Sequence, residues 1–111
     1  MERTIKSEQL KNELADKLLI DVRRKLDLDA ASDALPGATW HDPEKIAEWA
    51  DRLPKEREIV LYCVRGGSVS NGVVDALQAK GVRARFIEGG IEGWKAAGGE
   101  LAEKLPPNSA I

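Results

Sequence analysis

Cys63 is the single cysteine of the chain. It heads the segment Cys63-Val64-Arg65-Gly66-Gly67-Ser68, which lies between an apolar, β-branched run and a helical pattern. Six residues joining a buried strand to a helix can wrap into a cradle whose successive main-chain N–H groups turn inward. Gly66 and Gly67 are expected to permit it, because glycine takes φ > 0 and lets the backbone approach a ligand closely. The helix after Ser68 adds its unpaired N-terminal amides and the positive end of its dipole. A thiol in such a field is driven toward thiolate: free cysteine titrates near ~8.5, and helix N-termini or nearby cations bring it to ~3.5–7.5. Arg65, if turned inward, adds a fixed positive charge. The chemistry expected is a thiolate nucleophile with a small anion as its substrate, held by Val64, Arg65, Gly66, Gly67 and Ser68.

A lone cysteine at a strand end is commonly just a small buried hydrophobe. The glycine pair and the strand–loop–helix setting argue for chemistry instead. Rival anion loops fit less well. The segment lacks the lysine and spacing of a P-loop, and Gly66-Gly67-Ser68 is not a dinucleotide fingerprint. A Cys-x5-Arg phosphatase loop needs arginine at position 69, where this chain has Val69. Ser68 is read as the N-cap of the following helix rather than as a donor to the sulfur. Asp21 and Arg23, at the carboxyl end of another strand, are read as an ion pair bracing the loop more readily than as substrate contacts. His41 is expected to be solvated, since a thiolate ionised by its loop needs no histidine base. Trp40, Trp49 and Trp94 are expected in the core or in helix packing. Arg83 and Arg85 alternate with Val82, Ala84 and Phe86, which predicts a solvated face or edge.

The elements that must position Cys63 follow from hydropathy patterning. Ser7 is a plausible N-cap for a helix carrying Leu10 and Leu14. Leu18-Leu19-Ile20-Asp21-Val22 reads as a buried strand, and Arg23 to Leu35 as mixed polar chain with at most a short helix. Pro36-Gly37 marks a turn before a brief strand at Ala38-Thr39-Trp40. Asp42-Pro43 starts a helix that carries Ile46, Trp49, Ala50 and Leu53 on one face, with proline at its first position. Glu58 to Tyr62 is the strongest strand. Val69, Val73, Val74 and Leu77 mark the next helix, closed by Gly81. Val82 to Ile87 predicts a strand and Gly90 to Ala97 a short helix. Strands separated by helical segments imply βαβ crossovers and a mainly parallel sheet with helices on both faces, and in such sheets ligands collect at the carboxyl ends of strands.

The 111 residues suit a single domain over 1–111, with a loose C-terminal tail expected from about 101. An apolar fraction of 42% and a charged fraction of 32% argue for a folded globular chain rather than disorder. The net charge of −2 is a poor footprint for nucleic acid or a membrane surface. One cysteine rules out an intrachain disulfide, and with a single histidine no Cys/His zinc site can be assembled within the chain. No apolar signal region opens the sequence, and the run Ile59–Val64 falls far short of the ~20 residues that span a bilayer. The expected setting is reduced and cytoplasmic.

Four segments together resemble the single-domain rhodaneses. Leu19-Ile20-Asp21-Val22-Arg23 is similar to the family's strand end, and Leu35-Pro36-Gly37-Ala38 to its turn. Cys63–Ser68 is similar to the six-residue active-site loop with cysteine first and glycine fourth, and Glu88-Gly89-Gly90-Ile91-Glu92-Gly93-Trp94 to the family's signature near the C-terminus. The resemblance implies an α/β domain with a five-stranded, mainly parallel sheet. It implies a sulfurtransferase in which Cys63 attacks thiosulfate or a persulfide donor, becomes a persulfide, and passes the sulfur to cyanide or a thiol acceptor. It implies no metal or organic cofactor; the charge and hydropathy above give the expectation of no nucleic-acid or membrane partner, and a monomer or homodimer is expected. Two departures bear on substrate choice: Asp33-Ala34-Leu35 stands where the family often has a Gly-His-Ile, and Ser68 where many members have arginine. They leave open a non-catalytic binding or sulfur-carrier module built on the same loop.

Overall fold

The computed structural model describes residues 2–104. Five strands form one parallel sheet: β1 (Thr4–Ile5), β2 (Leu18–Asp21), β4 (Thr39–Trp40), β5 (Ile59–Tyr62) and β6 (Ala84–Ile87), in the spatial order β1-β6-β5-β2-β4. Helices α1 (Ser7–Glu13), α2 (Lys25–Ala30), α3 (Ile46–Trp49), α4 (Ser68–Ala79) and α5 (Gly90–Ala96) form the connections, with short 3-10 turns after α1 and flanking α3. A separate antiparallel pair joins β3 (Asp33–Ala34) to β7 (Ala102–Glu103). Ala102–Glu103, at the start of the expected loose tail, are therefore paired; the rest of that tail, 105–111, lies outside the described residues.

The two apolar runs expected to be buried strands, Leu18–Val22 and Glu58–Tyr62, lie side by side as β2 and β5, Leu18 opposite Ile59 and Asp21 opposite Tyr62. Alternation along β5 divides its side chains between two cores. Ile59, Leu61 and Cys63 face a cluster with Trp49, Val73, Val74 and Leu77. Val60 and Tyr62 face the opposite layer, with Leu10, Ile91 and Trp94. Cys63 thus points toward α4 for the same reason that Leu61 does. Among the described residues no helix is long and apolar enough to cross a membrane.

Four local expectations need correction. Helix α1 begins at Ser7 itself, with Lys6 at the cap and no side-chain cap bond. The helix expected after Asp42 is fragmented into 3-10, α and 3-10 turns, although Asp42 does cap its start by accepting from Glu44 N at 2.9 Å. His41 is half-buried, its ring 5.1 Å from that of Trp49, and burial with the nearby Arg52 charge lowers its pKa. Arg83 is exposed as expected, but Arg85 is buried, because β6 is an interior strand covered by helices on both faces.

Arg85 survives burial through ion pairing. Its Nε donates to Glu58 Oε1 at 2.6 Å, and Lys17 Nζ lies 3.0 Å from Glu58 Oε2 and 3.0 Å from Glu13 Oε1. Burial alone would raise the Glu58 carboxyl, but hydrogen bonds from Lys17 and Arg85 outweigh it and hold it below the ordinary carboxylate range. A depressed carboxylate contributes stability that is complete above its unfolded pKa and lost as pH falls through the folded value. Glu58→Gln is therefore expected to cost about 1–3 kcal/mol at neutral pH. It should also flatten the loss of stability between neutral pH and about pH 3, read by denaturant titration at several pH values.

Candidate active site

Because the sheet is parallel, the ends of β2, β5 and β6 open on one edge, and the segments that follow them meet there. The segment after β5 is Cys63–Gly67 and the segment after β6 is Glu88-Gly89, leading into α5. They are fastened backbone to backbone: Ile91 N donates to Cys63 O at 3.0 Å and Glu92 N to Val64 O at 3.1 Å. Two glycines make the approach possible. A Cβ on Gly90, whose φ is +62°, would lie 2.5 Å from Val64 O and 2.6 Å from Cys63 O. A Cβ on Gly66, at φ +71°, would lie 3.1 Å from Gly89 N and 3.2 Å from Gly90 N. The Gly-Gly pair after β6 is thus the backing plate of the Cys63 loop.

Gly67 differs from expectation. It sits at φ −92° with open space around it, and it occupies the N-cap of α4. Ser68 is then the first residue of the helix, exposed and without a cap bond, so the capping role expected of it falls on a residue with no side chain. Arg65 is exposed and makes no side-chain hydrogen bond or ion pair among the described residues. Val64 is half-buried.

The sulfur is 6% exposed on a residue basis and packs in the α4-side core. Its hydrogen-bond donor is the Ser70 hydroxyl, with Oγ 2.9 Å from Sγ. A ring of main-chain donors on the sulfur was the expectation; the structure puts a buried side-chain hydroxyl there instead. Among the described residues the main-chain N–H groups from Val64 through Ser70 have no protein acceptor. The first bond of the helix is Asn71 N to Gly67 O, and the three amides before it are the ordinary orphans of a helix start. A run of unclaimed N–H groups beside a helix N-terminus and a thiol suits a small anion.

Ser70 is the residue that sequence reading passed over. It is fully buried and stands at i in a stripe continued by Val73, Val74 and Leu77 at i+3, i+4 and i+7. A lone hydroxyl on an otherwise apolar helical stripe was the available signal.

Asp21 and Arg23 form a buried, two-pronged pair. Asp21 Oδ2 accepts from Arg23 Nη2 at 2.7 Å and from Nε at 3.0 Å, and Oδ1 accepts from the Arg23 main-chain N–H at 2.9 Å. The guanidinium also donates to Asp33 O at 3.0 Å and lies 5.7 Å from the centroid of the Tyr62 ring. Burial works against the Arg23 charge, but its bonds to Asp21 outweigh that and raise its pKa. Tyr62 accepts from Leu35 N at 3.3 Å, and burial, reinforced by the Asp21 charge, pushes its phenol far above the usual range. The pair joins β2, β3 and the last residue of β5. Among the described residues it makes no hydrogen bond to Val64–Ser70, so it braces the floor under Cys63 rather than the loop itself. Asp21→Asn keeps one acceptor oxygen but leaves a buried cation uncompensated. A loss of about 2–3 kcal/mol is expected, measured by urea denaturation.

Trp94 is buried, with its indole N–H donated to Glu100 O at 2.8 Å, and Trp49 is buried with its N–H on Asp42 O at 2.9 Å. Trp40 is half-buried and donates to Arg23 O at 2.7 Å. None of the three bonds to the loop. Two surface grooves do reach it. One is lined by Arg23, Asp33, Val64, Ile91, Glu92 and Lys95, the other by Arg24, Ile46, Ser68, Val69, Gly72 and Val73.

Residues 6–97 match the family described as Rhodanese-like domain. A tRNA sulfurtransferase of Desulfurococcus amylolyticus is 32% identical over 90 residues, which span 81% of this chain but 17% of that much longer protein. A rhodanese-related protein of Thermoplasma volcanium superimposes with a TM-score of 0.81 at 21% identity, covering 91% of this chain and 98% of its own. A thiosulfate sulfurtransferase of Pseudomonas aeruginosa does so with a TM-score of 0.76 at 22% identity, covering 94% of this chain and 20% of its own.

Proposed function

This chain belongs to the rhodanese-like domain family, and from that premise we propose that it is a sulfurtransferase that carries sulfane sulfur on Cys63. The observation that carries the reading is the conjunction at the end of β5: a thiol, a hydroxyl donated to it, and a run of main-chain N–H groups without acceptors among the described residues.

In the first half-reaction the Cys63 thiolate attacks the outer sulfur of thiosulfate. A new S–S bond forms, the bond to the sulfonate sulfur breaks, and sulfite leaves with the electron pair. The outer sulfur of the resulting persulfide is anionic, and the amides of Val64 through Ser70, which have no protein acceptor among the described residues, are its proposed donors. Exposed Arg65 supplies a positive charge at the mouth, and a local field of this kind captures an anion despite the net negative chain. In the second half-reaction cyanide or a thiolate takes the outer sulfur and returns Cys63 to thiolate. Neither half-reaction calls on His41, whose ring packs at a tilt against Trp49.

Intact-mass spectrometry tests the reading. The protein should gain one sulfur atom on incubation with thiosulfate or a small persulfide donor, and lose it to cyanide with release of thiocyanate. A chain that acquires no sulfur from either donor class refutes it. Sustained turnover of thiosulfate and cyanide by the chain alone separates an enzyme from a carrier module that loads once and waits for a partner.

A further inference from the structure

We infer that Ser70 is a second catalytic residue, whose hydroxyl takes up the charge that forms on Sγ when the Cys63 persulfide is discharged. The inference rests on the sulfurtransferase reading and adds to it the group that assists the leaving sulfur.

Ser70 lies on the first turn of α4, fully buried, with Oγ 2.9 Å from Sγ. Its stripe neighbours Val73, Val74 and Leu77 are apolar and belong to the same core cluster as Cys63. Serine is a poorer helix former than alanine, and a mid-helix serine commonly bonds back to the carbonyl one turn earlier. Here the hydroxyl is directed at the sulfur.

In the discharging step an acceptor thiolate or cyanide attacks the outer sulfur of the persulfide. The acceptor–sulfur bond forms, the S–S bond breaks, and its electron pair passes to Sγ. Two negative charges stand on each side, no proton moves, and no oxidant or reductant is consumed. Across that step Sγ changes from a neutral bridging sulfur to a thiolate, so a hydrogen bond to Sγ is stronger at the end than at the start. An interaction that strengthens along the reaction accelerates it. Loading behaves otherwise. There Sγ is the attacking atom and its hydrogen bond weakens as it becomes a bridging sulfur, so removing the hydroxyl takes away no assistance to the attack. Loss of the hydroxyl should therefore act on discharge and spare loading. A residue that merely filled space would slow both or neither.

The experiment is single-turnover kinetics on wild type, Ser70→Ala and Ser70→Thr. Loading from thiosulfate is followed by quenched mass spectrometry, and discharge to cyanide by thiocyanate release. Ser70→Ala should discharge roughly tenfold slower while loading within about threefold of wild type, so that it accumulates persulfide during turnover. Ser70→Thr, which keeps the hydroxyl, should recover discharge. Equal slowing of both half-reactions in Ser70→Ala, or of neither, overturns the role; so does a Ser70→Thr protein that discharges as slowly as Ser70→Ala. Failure of the wild type to load at all would remove the sulfurtransferase reading itself. A wild type that loads and discharges while Ser70→Ala matches it removes the Ser70 role alone.

Discussion

Cys63→Ser takes up no sulfur from thiosulfate or from a persulfide donor, while remaining folded. Removing a covalent nucleophile is expected to lower turnover by roughly 10³-fold or more, to the background of the uncatalysed exchange. Serine is close to cysteine in size, and its hydroxyl can keep the contact with Ser70, whose Oγ stands 2.9 Å from the sulfur it replaces. The stability cost, that of a slightly more polar group in the α4-side core, should stay near about 1 kcal/mol. The separation of the two effects gives the experiment its force. Circular dichroism and the thermal midpoint report the fold, and intact mass reports the sulfur. Sulfur uptake by a well-folded Cys63→Ser protein would show that the sulfur is bound without covalent attachment to this residue.

Gly90→Ala is expected to damage the protein as a whole, although Gly90 carries no chemistry. At φ +62° an alanine is strained by about 1–2 kcal/mol. Its Cβ would stand 2.5 Å from Val64 O and 2.6 Å from Cys63 O, contacts with main chain that no rotamer can relieve. Relief requires the loop and α5 to separate, which breaks the bonds from Ile91 N and Glu92 N, each contributing about 0.5–1.5 kcal/mol. With crowding of about 1–3 kcal/mol included, the loss is several kcal/mol out of a typical total of about 5–15. Denaturant titration should show a much lower midpoint, and whatever folded protein remains should load sulfur poorly because the amides around Cys63 have moved. Gly67→Ala is the control: its position has open space and φ −92°, so the fold should tolerate it. Wild-type stability and loading in Gly90→Ala would mean that the loop is not braced from behind in this way.

The differences between expectation and structure have a common origin. Short elements without a pattern of their own were invisible. Thr4–Ile5 sits between Arg3 and Lys6 and carries no alternation long enough to read. It is a strand because the free edge of β6 accepts it, with Phe86 N donating to Arg3 O and Glu88 N to Ile5 O. The β3–β7 pair arises the same way, from Ala34 and Ala102 meeting across 68 positions of chain. The solvated face or edge expected of Arg85 fails because alternation alone cannot say whether a strand is interior or at an edge. Ser70 carries only a weak signal of its own because a polar residue on a helical stripe acquires meaning only when the loop between it and Cys63 is seen to fold back on the sulfur.

What composition and order of residues establish is the chemistry on offer and the layer plan. One thiol heads a glycine-bearing loop, that loop joins a strongly apolar strand to an amphipathic helix, and strands and helices alternate around it. These are local properties, carried by side-chain type and by periods of two and 3.6 residues. Which groups converge on the thiol is decided by the tertiary structure. Parallel pairing of β5 with β6 brings Gly89 and Gly90 behind the loop, and alternation along β5 turns the sulfur toward the first turn of α4. There Ser70 rather than the main chain donates to it, and the main-chain N–H groups of Val64 through Ser70 have no protein acceptor among the described residues. Gly89 and Gly90 reach the loop through packing of the whole sheet, and no short window of sequence contains both partners; Ser70 lies within seven residues of Cys63, but only the folded course of the loop turns its hydroxyl onto the sulfur.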